Sequence, residues 1–350
     1  MPKELQLTGP RQLAYNLYEE PPLKRWEVRA RAVVSGISHG TEINLYRGTA
    51  PFHSRDFDQE LRLFVDSPGY QPYPRTLGYE WVGRVCEVGR EVSGFRVGDM
   101  VQLPHHHAET CTFSAAVDQR FGGAIALPAD VDTDTAAVMT LAGTALLAVQ
   151  DGQLKLGDRV GVFGLGAIGL LALQFARLDG ASWVVAVDPI ARRRALAQEY
   201  GADLVLDPTA CDPGLVIKSM DRHRGVDVAI DTSGHYAALH QAIRSARMGG
   251  RIVAAGYYQG GGTALRLGEE WLHNRLTMVS SMGVWGCPHR QYPVWDRARV
   301  QAIASQLLLE GKVRASSMVT HRFPFGRAAE AYDLVDRHPE ETVKVVLTYD

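Results

Sequence analysis

The sequence predicts an α/β protein of two parts, a β-rich region followed by a six-stranded dinucleotide-binding domain. Three observations carry that expectation. At 350 residues the chain is longer than one ordinary core organises. Its first ~125 residues read as short strands broken by Gly and Pro. From about Asp132 onward apolar strands alternate with helical stretches, and the turn GLGAIG, Gly164 to Gly169, joins the first such pair.

In the first part WEVRARAVVSG, WVGRVCEVG, DMVQLP and CTFSAAV alternate or run apolar, with turns such as EVSGFRVGD between them, an all-β pattern. TDTAAVMTLAGTALLAVQ then spaces small and apolar residues at the helical period. The strand candidates RVGVFG, SWVVAVD, LVLD, VDVAID, RIVAAG and LTMVSS follow, separated by helical stretches such as GLLALQFARLDG, ARRRALAQEYGA and YAALHQAIRSARMGG. Continuous apolar strands alternating with helices make a parallel sheet covered on both faces, and six strands suit a dinucleotide. After about Gly286 the segments are mixed, ending in the strand-like TVKVVLTY. Domain limits are expected at 1–128, 129–285 and 286–350, without internal repeats or low-complexity linkers.

Composition narrows the function classes. A net charge of -2, with 46% hydrophobic and 22% charged residues, gives no basic face for nucleic acid and no acidic tail. The segment MPKELQLTGPRQLAYNLYEE lacks a signal-peptide core, and no apolar run reaches the ~18 residues of a membrane helix. A cytoplasmic protein with a small-molecule partner is expected. Cys86, Cys111, Cys211 and Cys287 form no CxxC pair and read as ordinary thiols.

The glycines of GLGAIG have separate tasks. Gly164 permits the tight turn, Gly166 lets the backbone approach a pyrophosphate, and Gly169 lets helix and strand pack closely; Ala167 and Ile168 open a helix whose N-H groups face the anion. Asp188 ends the next strand about 20 residues on, where a carboxylate accepts from the adenosine ribose hydroxyls. That favours NAD. Arg193, within Arg192-Arg193-Arg194, is the arginine expected at the ribose edge and leaves NADP open.

With SGISHGTE, LGYEWVG and GLGAIG in this order, the chain resembles the medium-chain dehydrogenase/reductase superfamily, which joins a GroES-like catalytic domain to a Rossmann domain. The resemblance implies an NAD(P)-dependent oxidoreductase of homodimeric habit, with substrate in the cleft between domains. The zinc branch places a cysteine before G-T-D/E, the histidine of G-H-E, and a third ligand at the helix before the nucleotide fold. Here the first position is His39 or Ser38, depending on alignment, the second is Tyr79, and the third is Thr140 or Leu141. The four-cysteine structural zinc is replaced by VQLPHHHAETCTFS with Cys111 alone. Zinc takes about four N, S or O donors, so no metal is expected. His105-His106-His107 reads as a solvated or hydrogen-bonded turn, since neighbouring side chains on an extended segment face opposite ways. The pattern is similar to a narrower group that includes bacteriochlorophyllide-type dehydrogenases.

Without a metal, side chains must polarise the reacting oxygen. Thr41, Tyr79, His39 and Ser38 are the candidates: Thr41 matches the hydroxyl residue of the family's proton relay, Tyr79 is a candidate acid, and His39 could exchange protons with solvent. Glu80 is expected to anchor the local fold. By the same resemblance Thr232, Ser233, Gly256 and Tyr257 line the nicotinamide half, Thr144 lies beneath that ring, and Lys344 reaches the pyrophosphate. Trp271, Trp285 and His289 are read as core packing or pocket lining. The segment TAPFHSRDFDQELRLFVDSPGYQPYPRT, with three arginines and several aromatics, is expected to serve this chain's own ligand. The expected activity is zinc-independent interconversion of a secondary alcohol and a ketone. Reduction of an activated C=C bond, a zinc enzyme with a His39/Glu80 site, and a cofactor-binding protein without catalysis are the competing expectations.

Overall fold

The computed structural model describes residues 1–66, 71–115, 123–220, 222, 224–283 and 294–350. The chain forms two compact units, Met1–Ala137 with His321–Asp350, and Val138–Thr320. The divisions fall later than the sequence suggests, for a physical reason. Helix Arg297–Leu309 is held in the second unit by Gln301 Nε2 donating to the Met139 carbonyl at 2.7 Å. Just beyond it, Gln174 and the Arg314 backbone exchange bonds of 2.8 and 2.9 Å.

In the first unit one sheet runs in the order Ile125–Leu127, Met100–Leu103, Trp81–Val88, Glu27–Ile37, Lys344–Thr348 and Val319–Pro324, with Thr110–Ser114 also on the Glu27–Ile37 strand. That central strand is buried along most of its length, and Val28, Ala30, Val85, Val101 and Leu103 pack around Trp81, whose indole N-H donates to the Ala108 carbonyl at 2.8 Å. A smaller sheet joins Gln12–Leu17, Lys3–Gly9 and Arg75–Thr76, and Arg55–Asp58 pairs with Leu63–Asp66 as a hairpin. The short helix Thr41–Arg47 follows the central strand directly.

In the second unit six parallel strands run in the order Leu204–Leu206, Trp183–Val187, Arg159–Phe163, Val226–Asp231, Ala246–Ala254 and Thr277–Ser280. All six coincide with the apolar runs seen in the sequence. The order reverses direction between Arg159–Phe163 and Val226–Asp231, which is where open α/β sheets bind ligands at their carboxyl ends. Ala246–Ala254 starts earlier than RIVAAG suggests, because its pairing slips between Val226↔Ala246 and Val228↔Arg251 and takes in the turn-like MGG. Trp271 packs against the core of this unit. Trp285, Cys287 and His289 lie outside the described residues. Among the described residues no helix is long and apolar enough to cross a membrane.

Candidate active site and nucleotide-binding turn

In the first unit Ser38, His39 and Thr41 lie where the central strand turns into helix Thr41–Arg47, and Tyr79 lies just before Trp81–Val88. The Tyr79 phenol donates to Ser38 Oγ and also hydrogen-bonds with Thr41, so these hydroxyls are brought together. Burial, reinforced by the negative charges of Glu80 and Glu42, raises the Tyr79 pKa above that of an ordinary phenol. Tyr79 therefore stays protonated. In the free chain Tyr79 is a neutral phenol whose O–H points to Ser38. His39 is half-buried in the same turn.

Beneath the turn lies a network that the sequence did not reveal. Glu42 is 1% exposed; one carboxylate oxygen accepts from the Ser38 N-H at 2.8 Å, and the other meets His107 Nε2 at 3.0 Å and the Tyr332 hydroxyl. His107 Nδ1 is 2.6 Å from Ser35 Oγ, which is 2.9 Å from the Tyr349 hydroxyl. Burial alone would raise the Glu42 pKa, but His107, Tyr332 and the Ser38 N-H hold it below the ordinary value. The histidine run is thus partly structural core: His107 is fully buried, His106 pairs with Glu4 at 2.8 Å, and burial keeps His105 neutral with a pKa of about 3. A glutamate directly after Gly40-Thr41 on a buried helix turn was the available signal, since a buried carboxylate requires partners.

Lys344 does not take the role expected of it. It is 1% exposed, donates to the Ile37 carbonyl at 2.9 Å and forms an ion pair of 2.6 Å with Glu80, so its ammonium holds the catalytic unit together. Burial raises the Glu80 pKa to about 7 against the opposing pull of Lys344. Gly36 leaves the space for this pair: a Cβ there would stand 2.8 Å from Lys344 Cε and 2.9 Å from Glu80 Oε2.

The donors in this turn are hydroxyls and the His39 imidazole. Ser38, Thr41 and Tyr79 offer neutral hydroxyls, and Glu80 faces a lysine instead of a metal. Among the described residues the groups of three convergent donors are His240/Glu269/Glu270 and His338/Glu340/Glu341, and neither includes these side chains. At the third ligand position of the zinc branch, on helix Met139–Gly152, Leu141 is apolar and 5% exposed, and Thr140 shares a helix face with Thr144.

In the second unit the sequence expectations meet at the sheet's carboxyl edge. Gly164 has φ +85°, and a Cβ on Gly169 would stand 1.9 Å from the Gly164 carbonyl oxygen. Helix Ala167–Leu178 begins at Gly166 without a side-chain cap, as suits an N-terminus that receives an anion through Ala167, Ile168 and Gly169. The buried Asp188 carboxylate accepts from the Leu165 N-H at 2.7 Å and the Ile190 N-H at 2.8 Å, which fixes it beside the turn. Arg193 lies 3.9 Å from Asp188, whereas Arg194 is tied to the Asp188 carbonyl and to Asp207. These residues fit a dinucleotide.

Thr232 and Ser233 act on the loop itself instead of presenting free hydroxyls. Thr232 Oγ1 donates to the Gly164 carbonyl at 2.7 Å, and Ser233 Oγ donates to Asp231 at 2.7 Å. Gly256 touches the same loop, for a Cβ there would stand 2.2 Å from Gly234 N, and Tyr257 follows it. Asp231, which the sequence reading passed over, accepts from the Tyr258 hydroxyl, and burial raises its pKa to about 6.

Two family models match the chain: "Alcohol dehydrogenase GroES-like domain" over residues 41–127 and "Zinc-binding dehydrogenase" over 167–298. D-guloside 3-dehydrogenase of Escherichia coli (strain K12) is 33% identical over 99% of this chain and 100% of its own length. Among solved structures, 2R,3R-butanediol dehydrogenase from Bacillus subtilis superposes with a TM-score of 0.77 at 23% identity, covering 100% of both chains. An alcohol dehydrogenase from Escherichia coli CFT073 complexed with NADH gives 0.76 at 22% identity, covering 99% of each.

Proposed function

Because the chain belongs to the medium-chain, alcohol dehydrogenase-like dehydrogenase/reductase superfamily and is an oxidoreductase of that type, we propose that it interconverts a secondary alcohol and a ketone with NAD(H) and without zinc. The observation that carries the reading is the hydroxyl cluster of Tyr79 and Ser38, at positions where the zinc branch places metal ligands, with Thr41 bonded beside them. The name of the D-guloside 3-dehydrogenase relative supports a polyhydroxylated substrate.

A bound nicotinamide supplies the hydride acceptor or donor. The chain's own residues do the rest. With substrate bound, the single O–H of Tyr79, kept neutral by burial, turns from Ser38 Oγ to the substrate oxygen, and the Ser38 and Thr41 hydroxyls then donate to the phenol oxygen and hold it in place. Hydroxyls both donate and accept, so Ser38 and Thr41 can pass the alcohol proton outward, and half-buried His39 is the group in that turn able to release it to water. Glu42 holds the Ser38 backbone in place. In the nucleotide unit the Gly164–Gly169 turn receives the pyrophosphate, while Asp188 accepts from the ribose.

The test is alcohol-dependent NAD reduction across cyclic, sugar-like and side-chain secondary alcohols, on protein stripped with a zinc chelator. Activity is expected to survive stripping, and Tyr79→Phe to lower kcat by about 10²-fold or more. Loss of activity on stripping, restored by zinc, would overturn the metal-free mechanism; an unchanged kcat in Tyr79→Phe would remove that residue from it.

A further inference from the structure

Arg75 carries a charge that it cannot shed, yet its Nε and Nη1 are buried and meet no acceptor among the described residues. Four other arginines of the first unit have partners. Arg55 pairs with Asp66 at 3.3 Å, Arg11 and Arg47 both hold Asp336, and Arg62 lies over the Phe57 ring, 5.6 Å from its centroid. A buried carboxylate can take up a proton and a buried lysine can lose one, but a guanidinium does neither, so it calls for a negative partner. The Tyr73 hydroxyl is a second buried polar atom without a partner among the described residues. His53 packs on the Tyr73 ring at 5.3 Å, with Nε2 3.1 Å from the Leu45 carbonyl.

The position of this cluster gives it a bearing on the reaction. Arg75 is fixed by its pairing with Leu7. Tyr73 and His53 lie at the C-terminal end of helix Thr41–Arg47: His53 meets Leu45, and a Cβ on Gly48 would stand 3.4 Å from the Tyr73 hydroxyl oxygen. Thr41 opens the same helix, whose seven residues span roughly 10 Å. The Tyr73 hydroxyl, with the Arg75 charge as its neighbour, therefore lies roughly 10 Å along this helix from Thr41.

We propose that Arg75 and the Tyr73 hydroxyl form an oxyanion subsite, and that the substrate alcohol carries a carboxylate or a phosphate roughly 10 Å from the carbon that is oxidised. The proposal rests on the alcohol dehydrogenase reading above. A guanidinium takes either oxyanion through paired N-H bonds, with Tyr73 supplying a further donor.

The experiment is isothermal titration of the full chain with inorganic phosphate and, separately, with D-gluconate. Wild type is compared with Arg75→Gln, Arg75→Lys and Tyr73→Phe, each checked for folding by circular dichroism. One oxyanion is expected to bind one-to-one, weakened about 30-fold by Arg75→Gln and less by Arg75→Lys, which keeps the charge. The tighter of the two identifies the source. A parallel assay of NAD reduction is expected to show KM for alcohols bearing that group rising by a similar factor in Arg75→Gln, with neutral alcohols unaffected. Absence of binding by both oxyanions, or binding that is equal in wild type and Arg75→Gln, overturns the subsite. If no alcohol reduces NAD while oxyanion binding still depends on Arg75, the dehydrogenase reading falls and the subsite stands.

Discussion

Replacing Lys344 with Met removes the positive charge that faces Glu80 while leaving a side chain of similar length in the Lys344–Thr348 strand. Both partners are almost completely buried, at 1% and 0% side-chain exposure, and lie 2.6 Å apart. Stripping one member from a buried pair costs about 3–5 kcal/mol, because the charge left behind has lost its compensation. Glu80 has an escape, however: burial already raises its pKa from an ordinary 4.5 to about 7, and without the lysine it rises further. A carboxyl pKa raised by folding contributes stability that is present below the unfolded value and lost as pH climbs through the folded one. The variant should therefore lose about 3–5 kcal/mol at pH 8, and the loss should shrink by up to about 1.4 kcal/mol per pH unit as Glu80 becomes protonated. Urea denaturation of wild type and Lys344→Met at pH 5.5 and pH 8 measures this, and adding Glu80→Gln should recover most of the loss at pH 8. Equal losses at the two pH values, or a loss below about 1 kcal/mol at pH 8, would refute the reasoning.

Two further outcomes follow from the nucleotide unit. Gly169→Ala would place a methyl 1.9 Å from the Gly164 carbonyl oxygen, backbone that cannot swing aside, so NADH binding measured by fluorescence titration should weaken at least about 10-fold with the turn displaced. Asp188→Ala removes the acceptor fixed by Leu165 and Ile190 while Arg193 stays, so the ratio of NADPH to NADH affinity should rise at least about 10-fold in the same titration.

The nucleotide unit was legible in the sequence because its signals are local. Each strand is one apolar run, and the glycine turn and Asp188 carry their meaning in short spacings. The candidate catalytic turn was legible only in part. SGISHGTE and LGYEWVG marked where Ser38, Thr41 and Tyr79 would lie, but nothing local said that Tyr79 would be buried against two carboxylates and so hold its proton. The burial of His107, within a run read as a solvated or hydrogen-bonded turn, and the inward role of Lys344 were missed for a related reason. Their partners, Glu42 and Glu80, are distant in sequence: a loop residue meets a helix 65 positions earlier in one case, and the Lys344–Thr348 strand reaches back to Glu80 in the other. Arg75 could be flagged as unusual from its aromatic surroundings, yet its lack of a counter-charge is a property of packing alone.

The placement of Lys344–Thr348 also bears on how the chain is made. That strand sits between Glu27–Ile37 and the edge strand Val319–Pro324, and Tyr332 and Tyr349 close the network around Glu42. A ribosome releases the whole nucleotide-binding unit before it adds these pieces. The intervening unit can fold as it emerges, whereas the flank of Glu27–Ile37 waits without its neighbour until synthesis is nearly over. Ribosome-bound chains stalled shortly before Lys344 would expose that edge, so chaperone demand during synthesis should concentrate on the first unit.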